Sequence, residues 1–221
     1  MTTALQALDS ALDHAPAIAV IQAERADWGM HAASACVAAG FQVMCIGAET
    51  PSAAQIIASV AARPDMRVGL GRARRPEQVT EAIASGATFV MSATTDEDIG
   101  AVARDAGLPW IAGAWTPNEI ARALHLGADM VQLYPIASNG GPLHLRLMVD
   151  LFPSAEFVVG GGIGGDRLSA YLEAGARAIA LSEALYSRDL MAAGDHMVIR
   201  NHAAAAHRDA AQHGRAHGGR S

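Results

Sequence analysis

The chain contains no lysine, because all 16 of its Lys and Arg residues are arginines. Enzymes that join a carbonyl substrate to the protein as an imine need a side-chain primary amine, and lysine is the only residue that supplies one. No side chain here can therefore form a Schiff base. This conclusion holds for any fold that the chain adopts.

Cysteine is scarce as well. Two residues, Cys36 and Cys45, are too few for a disulfide scaffold, and no basic stretch followed by an apolar run marks a signal peptide. The longest apolar runs are broken well before the roughly 20 residues that a membrane span requires. We therefore expect a cytoplasmic protein that does not bind a membrane.

Aromatic residues make up only 5% of the chain, while apolar residues of all kinds make up 51%. A core of aliphatic side chains and alanine suits helices packed on strands. The formal net charge of −6 argues against a nucleic-acid partner. The length of 221 residues fits one α/β barrel, whose usual size is roughly 200 to 250 residues.

A regular alternation of short apolar runs and amphipathic stretches follows a predicted helix over residues 2–14. Eight parallel, continuously apolar strands predict a closed (β/α)8 TIM barrel rather than an open doubly wound sheet. The predicted strands are Ala17–Ile21, Phe41–Ile46, Arg67–Leu70, Thr88–Met91, Trp110–Gly113, Met130–Leu133, Glu156–Val159 and Ala178–Leu181.

Several helix starts carry local signals. Pro follows Thr50, Arg75 and Thr116, and Thr95 precedes an acidic triplet, which are patterns typical of a first helical turn. We expect one barrel domain over residues 1–211.

The C-terminal end, residues 212–221, is rich in Gly, Arg and His and is predicted to be disordered. The spacing of its histidines and of those just before it does not place them on one helical face, so we predict no metal site and no cofactor. These histidines are His202, His207, His213 and His217.

Glycine is concentrated at the end of the seventh predicted strand, where Gly160 opens a run that continues to Asp166. TIM barrels commonly bind phosphate between the loops after strands seven and eight. We predict that Gly161, Gly162 and Ile163 present backbone N–H groups to a phosphate, and that Ser182 donates its hydroxyl and caps a following helix. The alternative is a structural glycine turn with Ser182 as a plain helix cap.

Several short motifs occur in a fixed order and spacing along the chain. They are Gly69-Leu70-Gly71, Pro76-Glu77-Gln78-Val79, Ser85-Gly86-Ala87-Thr88-Phe89, Ser92, Thr116-Pro117-Asn118-Glu119, Tyr134-Pro135, Gly140-Gly141 and Gly161-Gly162-Ile163. Their order and spacing resemble the 2-keto-3-deoxy-6-phosphogluconate (KDPG) and 4-hydroxy-2-oxoglutarate (KHG) aldolases. The similarity covers roughly residues 15–185 and implies a class I aldolase-like barrel and a homotrimer.

The resemblance also implies where the working groups of those aldolases would lie. The Schiff-base lysine is matched by Gln132, the proton-shuttling glutamate by Cys45 and the carboxylate-binding arginine by Glu49. Two threonines of the family pattern are matched by Arg72 and Gly160. All three working groups are therefore replaced.

Each replacement suggests a different chemistry. Gln132 can hydrogen-bond a carbonyl or carboxylate, and a Cys45 thiolate would be a nucleophile. Glu49 and Arg72 form a predicted pair that suits a zwitterionic or amide-bearing ligand, or else a salt bridge in a disused pocket. We include Trp115, Thr116 and Gly160 as candidate substrate contacts, although tryptophan is usually buried for its area alone, which favours packing of Trp115 on the barrel rim.

Two functions remain open. The first is a diverged lyase or isomerase that acts on a small phosphorylated or anionic metabolite through Gln132, Glu49, Arg72 and Cys45, without an imine. The second is a non-catalytic relative that binds a metabolite or a partner protein, since one barrel hosts many functions. Convergence of Glu49, Arg72 and Gln132 on one water-accessible pocket opposite Gly161 would favour the enzyme, whereas a filled, dry barrel top would favour the non-catalytic relative.

Overall fold

Eight parallel strands, hydrogen-bonded in chain order, close into a barrel. The structure, a computed structural model, describes residues 3–164, 167–182, 184–193 and 195–217. β1 pairs with both β2 and β8, which completes the ring and confirms the predicted TIM barrel. The strands are β1 (Ala17–Ile21), β2 (Val43–Gly47), β3 (Arg67–Ala73), β4 (Phe89–Ser92), β5 (Trp110–Ala114), β6 (Met130–Leu133), β7 (Phe157–Gly160) and β8 (Ala176–Leu181).

Helices alternate with these strands, after one helix that precedes β1. Of the predicted starts, Pro76 lies in the first turn of its helix and Thr116 accepts a hydrogen bond from the Glu119 N–H as an N-cap. The helices are α1 (Ala4–His14), α2 (Ala26–Ala38), α3 (Ala53–Ala61), α4 (Pro76–Ala84), α5 (Glu97–Asp105), α6 (Pro117–His125), α7 (Gly141–Leu151), α8 (Leu168–Glu173), α9 (Arg188–Ala193) and α10 (His196–His217).

Two predicted helix starts differ from the structure. Asp96, not Thr95, caps α5, because its carboxylate accepts the Ile99 N–H. Thr50 does not begin α3, since its hydroxyl donates to the carbonyl of Ile21 at the end of β1. Thr50 therefore ties the ends of β1 and β2 together instead of capping a helix.

The apolar side chains form two layers. One cluster fills the inside of the barrel with alternate strand residues such as Ile18, Val43 and Phe89, and Leu8 and Leu12 of α1 pack against it. A second, larger cluster lies between the strands and the outer helices. α1 thus closes the N-terminal end of the barrel and leaves the C-terminal end for a site.

The C-terminal end of β3 is important for the site. This strand continues to Ala73, beyond the predicted end at Leu70, and its pairing with β4 shifts register between Leu70 and Ala73. Within the shift, Arg72 adopts a left-handed backbone with φ of 54°. A non-glycine residue in this conformation costs of order 1 kcal/mol or more, and such strain is concentrated at functional sites.

The predicted disordered tail is partly helical. α10 extends to His217, so residues 212–217 are helical, and the His213 ring Nδ1 donates to the Asp209 carbonyl one turn earlier. The alanine-rich sequence has high helix propensity, and Ala203, Ala206 and Ala210 are buried. Residues 218–221 lie outside the described part of the chain.

The described residues contain neither a cluster of metal ligands nor a membrane-spanning helix. No three His, Cys, Asp or Glu side chains in the described ranges are grouped so that they could hold a metal ion. Likewise, none of the helices in this part of the chain is long and apolar enough to cross a bilayer.

Candidate ligand-binding site

Two neighbouring cavities open where the strands end. The central cavity has a volume of about 350 Å³ and is lined from β1, β3, β4, β6, β7 and β8. The side cavity, of about 720 Å³, extends toward α2 and α9. Gln22, Arg72 and Ser182 line both cavities.

Gln132 occupies the wall of the central cavity. It lies on β6 opposite Gly113 of β5 and Val158 of β7, and only 8% of its surface is exposed. No described residue hydrogen-bonds its side-chain amide, although the residue is more than nine-tenths buried. A Cβ added at Gly160 would lie 3.3 Å from Gln132 Nε2, so glycine keeps the amide open to the cavity. An amide in this state is ready to bind a polar ligand.

Arg72 contributes the positive charge of the central cavity. Its Nε lies 3.6 Å from Glu49 Oε1, so the predicted ion pair is present, but Arg74, which we did not predict, approaches the same oxygen at 2.5 Å. Glu49 lines the side cavity rather than the central one. Because no described residue accepts a hydrogen bond from the Arg72 guanidinium, its donors can serve a ligand.

The loop after β7 turns through Gly161 and Gly162, with φ of 89° and 75°. A Cβ at Gly161 would lie 2.8 Å from the Tyr134 ring and 2.9 Å from Pro135 Cα, so only glycine fits there. No described residue accepts from the backbone N–H groups of Gly161, Gly162 and Ile163. Such a run of unused donors is typical of an anion-binding loop.

The predicted phosphate residues divide in their roles. Gly161, Gly162 and Ser182 line the central cavity, whereas the Ile163 side chain is buried in the outer core. Ser182 does not cap a helix, because its carbonyl accepts the Leu185 N–H at 2.9 Å in a turn and α9 begins only at Arg188. Gly165, Asp166 and Glu183, which belong to these loops, lie outside the described residues.

Two polar residues of the central cavity were missed by sequence reasoning. Gln22 immediately follows β1, and Ser138 lies in the loop after β6. No hydrogen bond from either side chain to a described residue is present. A polar residue directly after an apolar barrel strand was the available signal for Gln22, whereas Ser138 had none.

Cys45 does not reach either cavity. It is completely buried inside the barrel, and its Sγ lies 2.8 Å from the position that a Cβ at Gly71 would occupy. Burial strongly raises the pKa of the Cys45 thiol, so the thiol stays protonated. The geometry therefore argues against the predicted role of Cys45 as a thiolate nucleophile.

The predicted contacts Trp115 and Thr116 also lie away from both cavities. The Trp115 ring stacks on His144 of α7, with centroids 4.3 Å apart and an angle of 9° between the planes. The Thr116 hydroxyl is used to cap α6. The alternative that Trp115 packs on the barrel rim agrees with this geometry.

The sequence and the fold match known proteins. The family model for KDPG and KHG aldolase matches residues 8–201. The chain belongs to this aldolase family. It is 27% identical over 189 residues to a KHG/KDPG aldolase of Escherichia coli (strain K12), a match that covers 85% of this chain and 89% of that protein. It is 30% identical over 163 residues to a 2-dehydro-3-deoxy-phosphogluconate aldolase of Treponema pallidum, covering 73% of this chain and 78% of the relative.

A solved structure of a family member has the same fold. It is the KDPG aldolase from Legionella pneumophila with pyruvate captured at low pH as a covalent carbinolamine intermediate. It superposes with a TM-score of 0.81 at 22% identity and covers 90% of this chain and 97% of that one. The chain described here has no lysine anywhere in its sequence.

Proposed function

We propose that the central cavity binds a small phosphorylated or otherwise anionic metabolite, and that the protein does so without forming an imine. The observation that supports this best is the chemistry of the lining. Arg72, two amides, three hydroxyls and the N–H groups of the glycine loop supply hydrogen-bond donors, and no carboxylate is among the described lining residues. Charge-assisted hydrogen bonds from such donors favour an anion.

The class of ligand follows from the relatives. The Treponema pallidum relative is named for a phosphorylated sugar acid, and the Legionella pneumophila structure was captured with pyruvate. We therefore propose a phosphorylated sugar acid or a related 2-oxo acid for this chain. The phosphate would bind the N–H groups at Gly161 and Gly162 with Ser182, and the carboxylate or carbonyl would bind Gln132 and Arg72.

Calorimetry with KDPG, pyruvate and inorganic phosphate tests this proposal. Gly162→Asp introduces a negative charge beside the loop, and aspartate is among the residues that tolerate a left-handed backbone best. We expect the affinity for KDPG to fall by about tenfold or more, since one lost charged hydrogen bond is enough for that. Gly107→Asp is the matched control. Gly107 also has a positive φ, of 67°, but a Cβ added there would have no neighbouring atom within 4 Å. Equal KDPG binding by both variants would contradict the site.

Imine chemistry is tested separately. Treating the protein with pyruvate and borohydride should leave every internal peptide at its original mass, because a side-chain amine is required to form the reducible adduct. A mass increase on an internal peptide would overturn this part of the proposal.

A lyase or isomerase reaction is the second candidate, and one observation favours it. The Glu49 carboxylate lines the side cavity next to Arg72 and is 44% exposed, so it is available as a general base. If it acts in this way, Glu49→Gln should abolish turnover of a bound sugar acid and leave its binding intact. Turnover that is unchanged in this variant would exclude that role.

The quaternary state is proposed to be the homotrimer that the family resemblance implies. Leu143, Leu147 and Leu151 are spaced four residues apart along α7 and are 67%, 54% and 56% exposed. An apolar stripe of this kind usually marks a contact with another chain. A cytoplasmic location also remains a proposal, based on composition.

A further inference from the structure

The side cavity offers a different chemistry from the central cavity. We propose that it holds an uncharged aromatic substituent of the anion whose charged end binds the central cavity. This inference rests on the proposed function and extends it, because it adds an uncharged aromatic substituent to the small phosphorylated or anionic metabolite proposed for the central cavity.

Part of the wall of the side cavity is apolar, although polar residues such as Gln22, Glu49 and Ser187 also line this cavity. Trp28 is half-buried in it, and Tyr186 and Met191 are 5% and 7% exposed. Aromatic rings and a methionine thioether make favourable contacts with a further ring, since sulfur and π systems are polarisable. The wall is therefore suited to a flat apolar group.

Two hydroxyls in this wall are already used by the protein. The Tyr186 hydroxyl accepts the Gln22 N–H at 2.7 Å and donates to the Val20 carbonyl at 2.5 Å. The Thr50 hydroxyl accepts the Ala23 N–H at 3.3 Å. These two side chains therefore contribute mainly ring and methyl surface to the cavity.

Charge determines which end of a ligand lies in which cavity. The carboxylates of Glu24 and Glu49 line the side cavity, whereas no described carboxylate lines the central one. Glu49 is already paired with Arg72 and Arg74, and Arg72, which the central cavity shares, is the only cation among the described residues that line the side cavity. A second anionic group in the side cavity would therefore find no further cation to bind. The part of the ligand in the side cavity is therefore uncharged, and its anionic part is in the central cavity.

The two cavities are continuous through their shared residues. Because Gln22, Arg72 and Ser182 line both, a ligand held at Arg72 extends into the side cavity without leaving the protein. Small-molecule sites usually have volumes of about 300 to 1,000 Å³. The central cavity, at about 350 Å³, is near the lower limit, so the side cavity provides space that a small acid leaves unused.

Calorimetry with methyl phosphate and benzyl phosphate tests this inference on the full chain. We expect benzyl phosphate to bind about tenfold more tightly, because partial burial of a ring contributes roughly 1.4 kcal/mol. Trp28→Ala should remove most of this preference and leave methyl phosphate binding unchanged. Trp115→Ala is the matched control, since Trp115 is also half-buried but lines neither cavity.

A second pair of variants checks another apolar residue of the side cavity. Met191→Ala should also reduce the preference for the benzyl ester, whereas Met197→Ala, at a position that is 59% exposed on α10, should not. Equal binding of the two esters by the native protein, or a preference that survives both cavity variants, would overturn the inference and leave the proposed function intact. If neither ester nor KDPG binds at millimolar concentration, the proposed function fails as well.

Discussion

Replacing Gln132 with leucine should weaken ligand binding without weakening the fold. The two side chains have similar volumes, so the change removes an amide rather than packing. Gln132 is 8% exposed, and no described residue hydrogen-bonds its amide, so no hydrogen bond among the described residues is lost. Most buried polar side chains behave differently, because their removal leaves a partner unsatisfied.

The magnitudes follow from this geometry. Removing a buried amide that has no partner among the described residues should leave the free energy of unfolding unchanged or raise it by about 1 kcal/mol. A hydrogen bond to a charged ligand contributes about 1.5–3 kcal/mol, which corresponds to a roughly 10- to 150-fold loss of affinity. The variant should therefore bind the ligand more weakly while its free energy of unfolding stays the same or rises.

Urea unfolding and calorimetry with KDPG provide the two measurements. Gln55→Leu, on the exposed face of α3, is the control, because it shows what the same substitution does to stability and binding outside the cavity. If Gln132→Leu instead lost more than about 2 kcal/mol of stability and bound KDPG as well as the native protein, Gln132 would be a structural residue. The assignment of the central cavity would then lose its main support.

Three further predictions concern other parts of the molecule. Ellman's reagent should leave Cys36 and Cys45 unmodified in the folded protein at neutral pH, because burial raises the pKa of Cys36 to about 12 and also raises that of Cys45. Fast labelling of either thiol without denaturant would refute this prediction. Leu147→Asp should dissociate the oligomer by placing a charge in the apolar stripe of α7, and an unchanged mass in light scattering would show that the stripe is not the interface. Partial burial raises the pKa of Glu156 despite the nearby Arg177, so the folded state keeps this proton to higher pH and loses stability as pH rises above the ordinary carboxyl pKa of about 4. Glu156→Gln should reduce this loss when the free energy of unfolding is measured at a series of pH values. Equal slopes of the free energy of unfolding against pH for the native protein and the variant would contradict this prediction.

The sequence by itself determined the fold and the main chemical exclusion. The repeating strand and helix pattern predicted eight strands because hydrophobic period and helix-start residues act over a few neighbours along the chain. The absence of lysine excluded an imine on any side chain without any structure. Gln132 and the glycine loop line the same cavity because barrel topology brings the ends of β6 and β7 together.

Only the tertiary structure decided which side chains share a cavity. Strand register and the alternation of inward and outward positions buried Cys45 beside Gly71 and left Gln22 at the cavity wall. The length of β3 placed Arg72 between the two cavities, while contact with α7 turned Trp115 onto His144 and away from them. These outcomes depend on packing between segments that are far apart in the chain, and local residue patterns contain no information about that packing.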